Sequence, residues 1–159
     1  MTYQCSSTPT GCALCHCVTC RKLGGGSYQT FAVIDAKSII FQDTKDNTTL
    51  SGLPETTKNG IEITSFSKSA ERFFCIDCHS PLGMRYKHAP HGHSITLGSV
   101  DEDTIRDEEV KKALTPGFQI FTSQRAWWCE GKGKDGLQEC ERFTGTFEDD
   151  IKAWEATNP

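Results

Sequence analysis

The sequence predicts a mainly β domain with short peripheral helices, and three features of the 159 residues predict it. Short runs rich in β-branched and aromatic residues recur between glycine, proline and asparagine breaks, which punctuate strands better than long helices. One run, IEITSF at 61–66, alternates apolar and polar residues as a half-buried strand should. The nine cysteines gather mostly in two clusters, as expected of sites placed where strands turn.

Taken in order, residues 28–34 (YQTFAVI) are β-prone and follow a Leu-Gly-Gly-Gly-Ser run that ends whatever the first cysteine cluster builds. SIIF at 38–41 either continues that strand or pairs with it. Residues 42–60 are polar and broken by Gly52, Pro54 and the Asn59-Gly60 pair. They read as an exposed excursion with a short strand near Thr48 to Leu50. Further strands are expected at 81–86 (PLGMRY), 93–100 (HSITLGSV) and 117–123 (GFQIFTS). A helix is expected over 101–113, where acidic residues precede Lys111 and Lys112 and so complement the helix dipole. A second is expected over 148–156.

The length suits one domain spanning 1–159 with a single core. Hydrophobic residues make up 36% and charged residues 24%, the balance of an ordinary soluble protein. A net charge of −4 gives no general attraction to nucleic acid or an anionic membrane, and no basic run is long enough to track phosphates. Apolar runs such as FAVI and SIIF are far too short to span a bilayer. The first fourteen residues have neither a basic region nor an apolar one, so the expected location is cytoplasmic. In a reducing compartment an odd number of cysteines argues against a disulfide framework and for metal.

The first cluster, CALCHCVTCRK at 12–22, contains C-x-C-x-x-C at Cys15, Cys17 and Cys20. In extended backbone, Cys-x-Cys sends both thiols to one face, and a following turn can bring the third round. Three thiolates on zinc leave one tetrahedral position free, the pattern of a catalytic site, whereas a structural site is closed by four. Cys12 as a fourth ligand would close it. His16, between two cysteines, is expected to point away and to pack or hydrogen-bond. The second cluster, Cys75-Ile-Asp-Cys78, is half of a zinc knuckle and needs ligands from elsewhere. With His79 it also matches the c-type haem signature, which would require export. The HAPHGH stretch, with His88, His91 and His93, reads as a flexible loop.

Four segments together, ALCHCVTCRKLGGGSYQTFAV, RFFCIDCHSPL, ITLGSVDED and FQIFTSQRAWW, resemble the glutathione-dependent formaldehyde-activating enzyme family, also called the CENP-V/GFA domain. The resemblance runs from about Gly11 to Trp128. It implies an Mss4-like zinc-binding β fold in which Cys15, Cys17 and Cys20 hold a catalytic zinc. The later pair, Cys75 and Cys78, would then belong to a structural zinc shared with an early C-x-C pair. That early pair is missing from this chain, whose N-terminal strand looks shortened. Cys5, with or without Cys12, is the expected substitute, His79 is a second possibility, and a metal-free Cys75/Cys78 pair is a third. A shortened first strand would also expose a sheet edge.

The resemblance implies a carbon–sulfur lyase acting on adducts of an aldehyde with a glutathione-type thiol, bound at the open zinc position. The implied partners are small molecules, with no nucleic acid and no membrane. Glutathione's carboxylates need donors, for which Arg21, Lys22, Arg72, Arg85 and Arg125 are candidates, and Arg21 leads because it follows Cys20. Phe73, Phe74, Trp127 and Trp128 are expected to be core or wall. The competing reading is a non-catalytic zinc module that binds a partner through structural cysteine clusters. A methionine sulfoxide reductase, using Cys129 or Cys140, ranks below both.

Overall fold

The computed structural model describes residues 1–129 and 136–158. Strand β1 (Thr2–Cys5) is followed by β2 (Gly11–Cys15), helix α1 (Val18–Gly24) and β3 (Gln29–Asp35). Then come β4 (Ile39–Gln42), β5 (Thr49–Ser51), β6 (Ile61–Ser65), β7 (Ala70–Cys75), β8 (Pro81–Tyr86) and β9 (Gly92–Thr96). Helix α2 (Glu108–Leu114), strands β10 (Phe118–Ile120) and β11 (Gln138–Glu139), and helix α3 (Phe147–Thr157) complete the order. Among the described residues these strands form an eight-stranded sheet, ordered β11-β10-β2-β3-β9-β8-β7-β6, and a three-stranded sheet, β1-β4-β5. The architecture is mainly β with three short α-helices, as the sequence predicts.

The alternating pattern of 61–66 becomes β6, paired antiparallel with β7, and the strands expected at 28–34, near 48–50 and at 81–86 lie close to their places. Those expected at 93–100 and 117–123 are shorter: they end at Thr96 and Ile120, ahead of 3-10 turns at Leu97–Ser99 and Thr122–Gln124. Two further expectations change. SIIF neither continues nor pairs with β3. A short 3-10 turn, Ala36–Ser38, capped by the Asp35 side chain, redirects the chain so that β4 pairs with β1 and β5. The helix expected over 101–113 splits into a 3-10 turn at Glu102–Thr104 and then α2, whose N-cap is Asp107. Asp107 Oδ1 accepts the Glu109 N–H at 2.7 Å, so helix begins where that cap sits.

Strand β1 is four residues long. It pairs with β4 as an outer strand of the small sheet, and among the described residues β11 and β6 are the outer strands of the large one. The main core gathers Ala32, Ile34, Ile39, Phe41, Ile61 and Phe73, and so joins both sheets. A second cluster, around Cys15, Cys20, Phe31, Ala70 and Met84, lies apart from it. Odd spacing along β2 puts Cys12 in the first cluster and Cys15 in the second, because alternate residues of a strand face opposite sides.

Candidate metal centre

Strand β2 ends at Cys15, and the backbone stays extended through Cys17, the N-cap of α1 (φ −60°, ψ 152°). Cys17 Sγ accepts the Cys20 N–H at 3.3 Å, so the C-x-x-C spacing is a helix cap in which sulfur replaces the usual oxygen. Val18 N–H donates to Gln124 Oε1 at 3.1 Å and fixes the same turn from outside. The sequence announced a turn here and not a helix. Gly25, left-handed at φ 65°, ends α1 and donates its N–H to the Arg21 carbonyl.

The result is that Cys15, Cys17 and Cys20 bring their sulfurs within 4.8 Å of one another. Cys15 and Cys20 are buried and Cys17 is half-buried. No fourth cysteine, histidine, aspartate or glutamate among the described residues joins them, so Cys12 does not close the group. Tetrahedral zinc with sulfurs at about 2.3 Å sets those sulfurs about 3.8 Å apart, which this triad meets with small adjustments. The donors are thiols, the ligand class zinc prefers, so the residues fit a zinc ion held by Cys15, Cys17 and Cys20.

The thiols do not titrate alike. Hydrogen bonds from Cys15 and Cys20, reinforced by the Cys20 N–H and the Arg72 charge, hold Cys17 far below the ordinary thiol range. Cys15 is driven up because it donates to Cys17 and is buried. Cys17 is therefore the first thiolate of the group. Arg72, 8% exposed, donates from Nη2 to Cys20 Sγ at 3.2 Å and lies over the Phe31 ring at 5.4 Å. Its Nη1 is buried without a hydrogen-bond partner. Burial first, then the charge of Cys15, raises the Tyr86 phenol.

His16 does not join the thiol group and hydrogen-bonds elsewhere, as expected. It is 2% exposed, its Nδ1 meets the Ser27 carbonyl at 3.2 Å and its Nε2 meets Gln119 Oε1 at 2.8 Å. It ties the cysteine loop to β10, where His16 N–H also donates to the Ile120 carbonyl. The next residue, Phe121, adopts a left-handed conformation (φ 56°), a strained choice for a bulky side chain, and packs against the thiol cluster.

All three thiols line a cavity of about 860 Å³. Of the proposed carboxylate donors, Arg72 lines it. Arg21 does not: it lies on α1 with Nε donating to the His16 carbonyl at 3.2 Å. Arg85 is paired with Glu71 at 2.7 Å and Arg125 with Glu139 at 2.7 Å. Sequence reasoning missed the other walls, Tyr86, Phe121, Phe143 and Phe147. Their local patterns show only aromatic residues of strands, loops and a helix. Phe73 is core, but Trp127 is 93% exposed and Trp128 about half exposed, so neither tryptophan is core.

Cys5, Cys75 and Cys78 line a different hollow. Cys75 N–H donates to the Ser80 carbonyl at 3.0 Å and His79 N–H to the Cys75 carbonyl at 2.8 Å, the tight turn expected of a knuckle. His79 sits at φ 58°, a left-handed position that suits glycine and that histidine tolerates better than most residues. Cys78 meets Ser80 Oγ at 3.2 Å, and that hydroxyl leads in holding its thiol low. Cys5 does not draw in to make a three-ligand group with this pair, nor do His88, His91 and His93 make one. His88 and His91 lie in or beside the turn between β8 and β9, while His93 is a buried residue of β9.

A β domain carrying a three-thiol group at a strand-to-helix turn fits the Mss4-like class of metal-binding β folds. The sequence matches the family described as glutathione-dependent formaldehyde-activating enzyme over residues 1–124, and the chain belongs to that family. No relative among curated proteins matches. A crystal structure of a Rhodobacter sphaeroides protein is similar over 67% of this chain and 82% of its own, at 12% identity and a TM-score of 0.42. Among the described residues, no helix is long and apolar enough to cross a membrane.

Proposed function

We propose that this chain is a zinc-dependent carbon–sulfur lyase acting on thiol–aldehyde adducts in the cytoplasm, with the thiol of the glutathione type that the family description names. One observation carries the reading. Three thiols converge with no fourth ligand among the described residues, and all three face a cavity. When bound, zinc lowers the pKa of an incoming thiol and presents it as thiolate near neutral pH.

The chain's own residues do the rest. Cys15, Cys17 and Cys20 hold the ion, and Cys17 ionises first. Arg72 neutralises part of the sulfur charge through Cys20. In the reaction the thiol sulfur bonds to the aldehyde carbon, the C=O π pair moves to oxygen, and the thiol's proton ends on that oxygen. The reverse direction releases thiol and aldehyde. Arg72 Nη1, buried beside the thiols and unpartnered, is the donor suited to the oxygen that gains charge. Tyr86 and Phe121, packed against the cluster, keep water from the sulfur atoms.

Replacing Cys15 tests this directly. Cys15→Ser is expected to lose zinc and thiol-dependent turnover together, measured by metal analysis and by aldehyde consumption with and without glutathione. Unchanged zinc and unchanged turnover would refute the assignment.

A further inference from the structure

We propose that Cys75 and Cys78 form a dithiol that exchanges with small-molecule disulfides of the glutathione disulfide class, Cys78 attacking first and Cys75 closing the internal bond. The pair stands apart from the three-thiol group, and the inference does not depend on the lyase reading.

The pair lacks what a metal needs and has what exchange needs. No third cysteine, histidine, aspartate or glutamate among the described residues joins it, and two thiols alone hold zinc weakly. The two residues also differ in access. Cys75 ends β7 and is 5% exposed in the main core, whereas Cys78 is exposed. Their turn is pinned at both ends: Ile76 N–H donates to the Gly60 carbonyl at 2.9 Å, and Cys75 N–H to the Ser80 carbonyl at 3.0 Å. Lys45 pairs with Asp77 inside it. Residues three apart across a turn stand within about 7 Å at Cα, which a disulfide can span. The Cys75 thiol hydrogen-bonds to the Cys78 sulfur, so the two sulfurs already meet. The Ser80 N–H and the Ser80 hydroxyl, the latter at 3.2 Å, lie against the Cys78 sulfur that carries charge as it attacks or leaves. Both cysteines line a hollow of about 1530 Å³ whose other walls include Ser80, Ser99, Thr104 and Arg106, polar partners for a peptide disulfide.

Access sets the order of the steps. The Cys78 thiolate attacks one sulfur of the small disulfide, whose S–S bond breaks. One thiol leaves, and Cys78 holds the other half as a mixed disulfide. Cys75 then gives up its proton and attacks the Cys78 sulfur, which expels the second thiol. Two protein thiols are oxidised to one disulfide, the small disulfide is reduced to two thiols, and these carry the two protons. Exchange is reversible, so excess thiol restores the dithiol. In a reducing compartment such a bond is transient, as exchange sites there are.

The test uses reduced, zinc-loaded, full-length protein freed of small thiols. Glutathione disulfide is added, released glutathione is counted by chromatography, and the alkylated protein is mapped by peptide mass spectrometry. Wild type is expected to release two glutathiones per chain and to carry a Cys75–Cys78 disulfide that excess glutathione reopens, with its zinc retained. Cys75→Ser should release one glutathione and keep the other half on Cys78. Cys78→Ser should slow release at least about tenfold, because the remaining thiol of the pair is buried. Cys5→Ser should react as wild type does, although Cys5 lines the same hollow. The wild-type map decides the matter even where Cys75→Ser fails to fold. Wild type that stops at a mixed disulfide, a bridge that uses Cys5 in place of either residue, or a pair that glutathione disulfide leaves untouched would overturn the proposal.

Discussion

His93 shows how a single buried ring can make stability depend on pH. It lies on β9 opposite Arg85 of β8, near the Phe73 ring, with Nδ1 buried and unpartnered. Burial first, and then the Arg85 charge, lowers its pKa to about 4. The unfolded chain takes up the proton near the ordinary histidine value of about 6.5, and the folded chain does so only near 4. The contribution is therefore complete above about pH 6.5 and is lost as pH falls towards 4. Wild type should lose about 1–3 kcal/mol more stability than His93→Gln across that window, by urea unfolding at each pH. Parallel losses in the two proteins would show that His93 titrates as it does in the unfolded chain. At the metal centre, Arg72 was one basic residue among several in the sequence. Its role became visible only when folding set β7 beside the thiols, because nothing local marks which arginine will be buried against sulfur.

Strands were the legible elements, because a period of two survives in short runs such as 61–66, and the terminal helix expected over 148–156 lies at Phe147–Thr157. Helix α1 was not, since seven residues opening on a cysteine cap and closing in glycines carry no helical period. The partner of β4 was not legible either: SIIF suits any sheet, and the 3-10 turn before it decides which one it joins. Strand β7 was hidden for another reason. Its buried pattern of Ala70, Arg72, Phe73 and Cys75 does not alternate cleanly. Opposite it, Phe73 pairs with Gly83 and Phe74 with Pro81, so β8 carries Leu82 as an extra residue and bends there. Gly83 is required by the next strand. A Cβ at that position would stand 2.5 Å from the Ser94 carbonyl oxygen and 3.2 Å from Ile95 Cα, both backbone atoms of β9. Gly83→Ala should force β8 and β9 apart and cost about 1–3 kcal/mol in denaturant unfolding, whereas Gly98→Ala, with open space at the same position, should cost far less. Equal costs would mean that the strands separate freely.

At the scale of the whole molecule, the two cysteine clusters occupy different hollows, and only one of them assembles a ligand set among the described residues. Pairing explains the difference. Cys15, Cys17 and Cys20 are set by consecutive backbone, a strand end running into a helix cap, so their convergence needs no distant partner. Cys75 and Cys78 are also local to each other, but any further ligand must come from another element. The other thiol that lines the same hollow, Cys5, closes β1 opposite Ile39 in the small sheet. That register holds Cys5 at the end of β1, outside a three-ligand group with the pair, and ties the small sheet to the core through Ile39 and Phe41. Two thiols without further ligands hold zinc far more weakly than a set of three or four. The intact chain should therefore retain one zinc after dialysis against a weak chelator. Cys75→Ser should leave that ion in place, and Cys20→Ser should remove it, both measured by metal analysis on reduced protein. Two retained ions, one of them lost in Cys75→Ser, would mean that Cys5 does abandon its strand and that metal, not sheet pairing, decides where the N-terminus lies.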